Sequence, residues 1–472
     1  MALSPELLDR FKQCAGHGGW TLDPDRIAPH LREWRDRYHG ATPIMLMPDN
    51  RDAVASIIRL AAETRTPIVP QGGNTGLVGG QIPHPNGEEL LIWMGRMNKV
   101  RSIDTNNNTL TVEAGAILTQ VQEAAAAQDR FFPLSLASEG SAQIGGLIST
   151  NAGGTAVLAY GTMRDLVLGL EAVLPDGSII NALSGLRKDN TGYDIVRLLT
   201  GAEGTLGIIT AATLKLFPQP RATFVAIAGV ASPASAISLL TLMKADAGAM
   251  LTGFELMPRL GLEFVLRHIA SARDPLSHIH PWYVLIELSL SGGASDRLLE
   301  IALARAIEEG LAGDAVIAQS AQQARDFWRL REALSEAQKF EGGSIKHDVS
   351  VPISAMPRFV DEATQAVLQA VPGARPIPFG HVGDGNVHFN VSQPVNTDRG
   401  SFVARWDEIN DIVHGIASEL GGSISAEHGI GQMKATEIIG YKDPGTLAAM
   451  RAIKRALDPQ GIMNPGKIFP RD

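Results

Sequence analysis

The sequence predicts an α+β chain of two or three domains with a boundary near residue 220, and three observations carry that expectation. At 472 residues the chain is too long for one ordinary core. From residue 43 to 217 short β-rich runs alternate with helical ones. From 221 to about 425 longer amphipathic helices separate the strands.

Taken in order, TPIMLMP reads as a strand and NRDAVASIIRLAAET as a helix capped by Asn50, with Val54, Ile57, Ile58 and Ala61 as its apolar face. TPIVPQGG is a strand entering a loop, and KVRSIDTNNNTLTVEAG two strands about an Asn-rich turn. ILTQVQEAAAAQD is a helix, and LVLGLEAVLPDGSIINA a hairpin across Pro175-Asp176-Gly177. TLGIITAATLKLFPQP reads as a strand pair closed by prolines. Beyond it come the helices SPASAISLLTLMKAD and SDRLLEIALARAIEEG and the strands HPWYVLIELSLS and KHDVSVPI. The last fifty residues return to helix in DPGTLAAMRAIKRALDP and end in the turn-rich GIMNPGKIFP.

Composition narrows the function. Apolar residues make up 44% and mean hydropathy is near zero, as in ordinary soluble proteins. The 41 lysines and arginines against 50 acidic residues leave a formal charge of −9, which disfavours nucleic acid or an anionic membrane as a general partner. Cys14 is the only cysteine, so an internal disulfide, a dithiol pair and an iron–sulfur cluster are excluded. Redox chemistry would need an organic cofactor or a metal held by nitrogen and oxygen. The opening MALSPELLDRFKQCAGHGGW lacks a signal-peptide core, and no apolar run reaches about 18 residues. A cytoplasmic protein without a membrane span is therefore expected.

Glycine is concentrated in three loops: PQGGNTGLVGG, SEGSAQIGGLISTNAGGT and TGAEGTLGIIT. Glycine lets backbone approach a ligand closely, and successive peptide N–H groups form anion-binding nests. One such loop is usually only a tight turn. Three in one domain suggest a long phosphate-bearing ligand. Neither G-x-G-x-x-G nor a P-loop is present, which disfavours a Rossmann nicotinamide enzyme.

Together with YGTMRDLVLGLEAVLPDG, these loops resemble the FAD-binding domain of the vanillyl-alcohol-oxidase (PCMH-type) superfamily. HVGDGNVHFN, SAEHGIG and MNPGKIFP are similar to its FAD-linked D-2-hydroxyacid dehydrogenases. The resemblance runs from residue 70 to 470. It implies an α+β fold: a two-subdomain PCMH-type FAD-binding domain plus a substrate (cap) domain with an antiparallel sheet flanked by helices. The expected division is an N-terminal helical segment 1–38, the FAD domain 39–220, the cap domain 221–425 and a C-terminal segment 426–472 that returns to the FAD domain.

By the same resemblance, Gly72, Gly73, Asn74, Thr75 and Gly76 would hold the pyrophosphate through their backbone, with Pro70 and Gly79 also in the cofactor site. Ser138, Gly140, Ser141, Gly145, Gly146, Ser149 and Asn151 would line the adenosine and ribityl stretch. Gly204 and Ile209 would pack at the adenine end, and Asn464 would close over the flavin. Some relatives bind FAD covalently through a histidine in the first loop. Asparagine at 74 cannot make that bond, so a dissociable FAD is expected.

HVGDGNVHFN places two histidines about a turn. With Asp384-Gly385 as a two-residue hairpin, His381 would face His388 with Cβ atoms roughly 5 Å apart, and Asn390 would share that face. Two converging imidazoles suit a borderline divalent metal that needs a third ligand, for which Glu427 in SAEHGIG is the best candidate. Relatives carry metal ligands at the positions of His381, His388 and Glu427, and a catalytic base at that of His428. Zinc is the expected ion, with manganese or iron as alternatives. The metal would polarise the substrate hydroxyl, His428 would take its proton, and flavin would take the hydride.

The substrate is read from DFWRLREALSEAQKF, a helix putting Arg331 and Ser335 four apart on one face, and from Lys346 at the start of the next strand. Taken alone, such a helix face is usually solvated. In relatives that oxidise D-2-hydroxyglutarate, an arginine, a hydroxyl residue and a lysine at these positions grip the distal carboxylate. Ser335 replaces a frequent threonine and keeps the hydroxyl. The expected substrate-binding residues are thus Arg331, Ser335, Lys346, Asn390 and His428, and the expected activity is D-2-hydroxyglutarate dehydrogenase. The alternatives are a D-lactate or glycolate dehydrogenase of the same fold, a metal-only hydrolase and a non-catalytic nucleotide-binding module. With no internal relay, electrons would leave to an electron-transfer flavoprotein or a quinone. A homodimer is a common state for such chains.

Overall fold

In the computed structural model, which describes residues 3–290 and 297–471, the chain divides into two units. One comprises 1–154, 161–219 and 427–472; the other comprises 155–160 and 220–426. Among the described residues no helix is long and apolar enough to cross a membrane.

The first unit holds two sheets. β1 (Trp20–Thr21), β2 (Met45–Leu46), β3 (Ile68–Gln71) and β4 (Leu90–Trp93) form a sheet in the order β1-β2-β4-β3, in which β2 and β3 run parallel to β4. The helix Arg51–Thr64 crosses between β2 and β3. Asn50 caps it by accepting from the Ala53 N–H at 2.9 Å, and Val54, Ile57, Ile58 and Ala61 are fully buried. The N-terminal segment is not wholly helical: after the helix Pro5–Ala15, β1 pairs antiparallel with β2 and supplies a sheet edge.

The second sheet is antiparallel, in the order β5-β6-β10-β8-β9: β5 (Val100–Asp104), β6 (Thr109–Glu113), β8 (Val167–Val173), β9 (Ile179–Ala182) and β10 (Ile208–Lys215). The β8–β9 hairpin turns at Asp176-Gly177, closed by the Gly177 N–H on the Leu174 carbonyl at 2.8 Å. The expected strand pair in 205–220 is corrected. β10 pairs with β6 and β8, while β11 (Phe217–Pro218) pairs with β7 (Arg130–Phe131). Only Leu216 separates β10 from β11, too little chain for the reversal an antiparallel pair requires.

The second unit is built on antiparallel pairing. β12 (Ala222–Val230), β13 (Leu251–Pro258), β14 (Trp282–Leu290) and β15 (Asp314–Ile317) form a sheet in the order β13-β14-β12-β15. The helices Pro233–Ala247 and Leu298–Glu308 bury Leu239, Met243, Leu299 and Ala302 in one core with this sheet. Ser291, at the end of the expected strand, and Ser295 and Asp296, at the start of the expected helix, lie outside the described residues. A further sheet centres on β19 (Asn386–Ser392), which pairs with β16 (Ser344–Lys346), β17 (Val349–Ser350) and β18 (Arg375–Phe379). The expected single strand in KHDVSVPI is thus two, broken at His347-Asp348.

Candidate active site

In the first unit the glycine loops of residues 72–80 and 138–151 press together. A Cβ on Gly73 would lie 1.9 Å from the Ser141 carbonyl oxygen, a contact only glycine allows. Asn74, at φ 55°, turns its amide away: Nδ2 donates to the carbonyls of Pro29 and Arg32 at 3.0 and 2.9 Å. Pro70, within β3, sits against Gly204, whose φ is 71°. Asn151 accepts from the Thr162 hydroxyl and the Arg164 N–H, both at 2.9 Å. Ile209 is buried in β10. Asn464 Nδ2 donates to the carbonyls of Gly80 and Glu203 at 3.0 and 2.7 Å, tying the tail to two of the loops.

The first unit also reveals a residue that glycine counting missed. Glu203 is buried, and its carboxylate accepts the N–H groups of Ile430 and Gly431, each at 2.8 Å. It fixes the loop that follows His428. Burial pushes its carboxyl pKa upward.

In the second unit the histidine turn differs from expectation. The register sets Phe379, not His381, opposite His388. Gly380 is drawn out of the β18–β19 ladder by a reciprocal pair of backbone bonds with Leu256 of β13, at 3.0 and 3.1 Å. The reversal therefore spans Gly380 to Gly385, with the amides of Asp384 and Asn386 both on the His381 carbonyl. The two imidazoles still meet, with ring centroids 5.4 Å apart, edge to face.

Around them lie carboxylates the sequence did not single out. Glu255 on β13 is fully buried and takes His381 Nδ1 on one oxygen and Arg331 Nε on the other, each at 2.6 Å. Burial alone would raise its pKa; His381 and Arg331 bring it down to about 2. Asp348, at the break between β16 and β17, is held by Asn386 Nδ2 at 2.9 Å and lies 3.7 Å from His388 Nδ1. The Asp348 carbonyl accepts the Ala426 N–H at 3.1 Å, and Glu427 and His428 are the next two residues of the chain. Asp348 and His388 of this unit belong to a group of potential metal ligands. Of the two histidines expected to hold a metal, that group includes His388 and omits His381.

Arg331 is buried, so its face of the helix is not solvated, and its guanidinium sits 4.9 Å from the centre of the Phe379 ring. The helix Ala321–Glu332 stops one residue after Arg331, and Ser335 belongs to the following turn, Leu334–Ala337, so the two do not share one continuous helix. Lys346 Nζ donates to the Ser335 carbonyl at 3.3 Å, and Lys346 stands opposite Asn390 across β16–β19. Asn390 Nδ2 is spent on Gln338 at 2.9 Å.

Residues 219–468 match the family described as FAD linked oxidases, C-terminal domain, and residues 42–183 match an FAD binding domain. The chain belongs to the FAD-linked oxidases. Its match over most of its length to curated D-2-hydroxyglutarate dehydrogenases makes it an FAD-dependent dehydrogenase. Among the relatives of this chain, D-2-hydroxyglutarate dehydrogenase of Arabidopsis thaliana is 39% identical over 98% of this chain and 81% of its own length. That of Xanthomonas citri pv. viticola is 38% identical over 95% and 93%. A putative D-lactate dehydrogenase of Schizosaccharomyces pombe is 34% identical over 98% and 90%. A solved p-cresol methylhydroxylase shares the fold, with TM-score 0.77 at 16% identity over 99% of this chain and 96% of that one.

The loops of this FAD-linked oxidase fit the cofactor. Among the described residues, Asn464 Oδ1 and Gln143 Oε1 are buried without a hydrogen-bond partner. A Cβ on Gly140 or Gly146 would meet nothing within 4 Å, which leaves room beside both backbones. The nitrogen and oxygen donors near His388 likewise suit a divalent zinc, manganese or iron ion and offer no soft sulfur site.

Proposed function

We propose that this enzyme oxidises D-2-hydroxyglutarate to 2-oxoglutarate. The observation that carries the reading is Arg331: a buried guanidinium, oriented by Glu255 and Phe379, in the same unit as His381 and His388. A buried arginine suits a bidentate carboxylate, and Lys346 adds a point charge. Substrate with a second carboxylate has use for both; D-lactate has not.

His381, His388 and Glu427 would hold a divalent ion, zinc first, with Asp348 orienting His388. Such an ion supplies Lewis acidity to the substrate hydroxyl, and FAD supplies the hydride acceptor. The chain's own residues do the rest. His428, an imidazole whose ordinary pKa lies near neutrality, takes the hydroxyl proton. Asn390, with Lys346 across the ladder, lines the substrate. Glu203 holds the backbone after His428 and so limits where that imidazole can reach. Asn74 leaves the flavin without a histidyl bond, so FAD is held by contact alone.

Anaerobic addition of D-2-hydroxyglutarate should bleach the flavin spectrum at low substrate concentration, and a chelator should abolish the bleaching. If D-lactate bleaches it with higher kcat/KM, the enzyme is the lactate dehydrogenase instead, the activity for which the S. pombe relative is named.

A further inference from the structure

We propose that Glu255 is a positioning residue that sets His381 and Arg331 together, so that one buried carboxylate governs both the metal end and the carboxylate-gripping end of the site. The inference rests on the proposed function for what those ends bind. Its geometry lies within one unit and stands by itself.

Glu255 is 0% exposed and lies on β13. Its two oxygens are divided: Oε1 faces His381 Nδ1 and Oε2 faces Arg331 Nε, both at 2.6 Å, the short range of charge-assisted bonds. An ionised carboxylate only accepts, so the His381 proton must sit on Nδ1. In a neutral imidazole that leaves Nε2 with its lone pair, the form a metal ligand needs. Arg331 is fixed through Nε, which directs the guanidinium plane while Phe379 stacks beneath it at 4.9 Å. The reach of one side chain to both partners depends on the Leu256–Gly380 backbone pair, which brings the residue before His381 beside the residue after Glu255.

A purely structural ion triad predicts a different outcome from a positioning one. Removing its charge would lower stability and depress all activities alike. A positioning carboxylate makes two separable losses, because zinc can be supplied in excess and a guanidinium orientation cannot.

The test uses the FAD-loaded protein and its Glu255→Gln variant, with zinc affinity measured by calorimetry on metal-stripped samples and steady-state kinetics on two substrates. Zinc should bind the variant about 10–100-fold more weakly. With zinc at saturation, the remaining loss should be larger for D-2-hydroxyglutarate, whose KM stays raised at least about tenfold, than for D-lactate. Glu255→Asp should restore part of both. Unchanged zinc affinity in the variant, or full recovery on both substrates, overturns the proposal. A wild-type protein that takes up no zinc or cobalt defeats the proposed metal site instead. Should Glu255→Gln fail to fold, 15N-histidine spectra of the wild type decide. His381 protonated on Nδ1 supports the assignment, and His381 protonated on Nε2 alone overturns it.

Discussion

The two units prepare for ligands by opposite means. In the first, backbone does the work: glycines let loops approach, and Asn464 and Glu203 tie loops through main-chain groups. In the second, ionised side chains are buried and paired in fixed directions, as Glu255 does with His381 and Arg331. A long cofactor with many polar atoms is met by many weak donors, each replaceable. Under the proposed function, a small acid is met by a few charges, none of which can be left unpaired without a cost of several kcal/mol.

Metal chemistry should produce the widest gap between the units. Exhaustive chelation, or His388→Ala, should cut dye reduction with D-2-hydroxyglutarate by more than about a hundredfold while flavin content stays unchanged. Loss of flavin on chelation would erase the distinction. Next comes Gly73→Ala, whose methyl would meet the Ser141 carbonyl. Overpacking of about 1–3 kcal/mol should lower flavin per protein ten- to a hundredfold, read from the visible spectrum.

Lys346→Ala should lower kcat/KM for D-2-hydroxyglutarate about thirtyfold, with D-lactate affected less than about threefold. Equal losses would remove the argument for a dicarboxylate. Gly146→Ala is subtler. With nothing within 4 Å, the methyl should leave the melting temperature of the flavin-free protein unchanged yet weaken FAD binding about tenfold. Identical FAD affinity would mean that the cofactor does not lie against this backbone.

The smallest effect is one of stability. Glu341 takes Arg267, His268 and Arg375 at 2.6, 2.7 and 2.5 Å. Burial alone would raise its pKa, but His268 and the two arginines bring it down to about 2. A carboxyl with a folded pKa below its unfolded value stabilises above the ordinary range near 4.5, and that share disappears as pH falls toward 2. Glu341→Gln should cost about 1–2 kcal/mol at pH 7 and flatten the loss of stability between pH 5 and about 3 in thermal denaturation.

The contrast also explains what could be read in advance. The helix over 51–64, its Asn50 cap and the hairpin at Asp176-Gly177 are local events, written in periodicity and turn chemistry. The first glycine loop was legible because crowding at Gly73 leaves only glycine. The partners Glu255, Asp348 and Glu203 were not, since a buried carboxylate looks like a surface one in a sequence. The histidine turn failed for a related reason. Its residues favour a tight hairpin, but a strand more than a hundred residues earlier claims Gly380 and lengthens the reversal. The break after Glu332 was hidden too, because Ala333 and Leu334 are good helix formers.

One carboxylate shared by an imidazole and a guanidinium has a consequence for how such a chain can diverge. Exchanging the arginine to admit a different acid leaves an unpaired charge beside the histidine, so the exchange disturbs a neighbour it was never aimed at. Changes of specificity would have to arrive as coordinated pairs, with Glu255 altered in step with Arg331, and chains in which only one of the two has drifted should be rare.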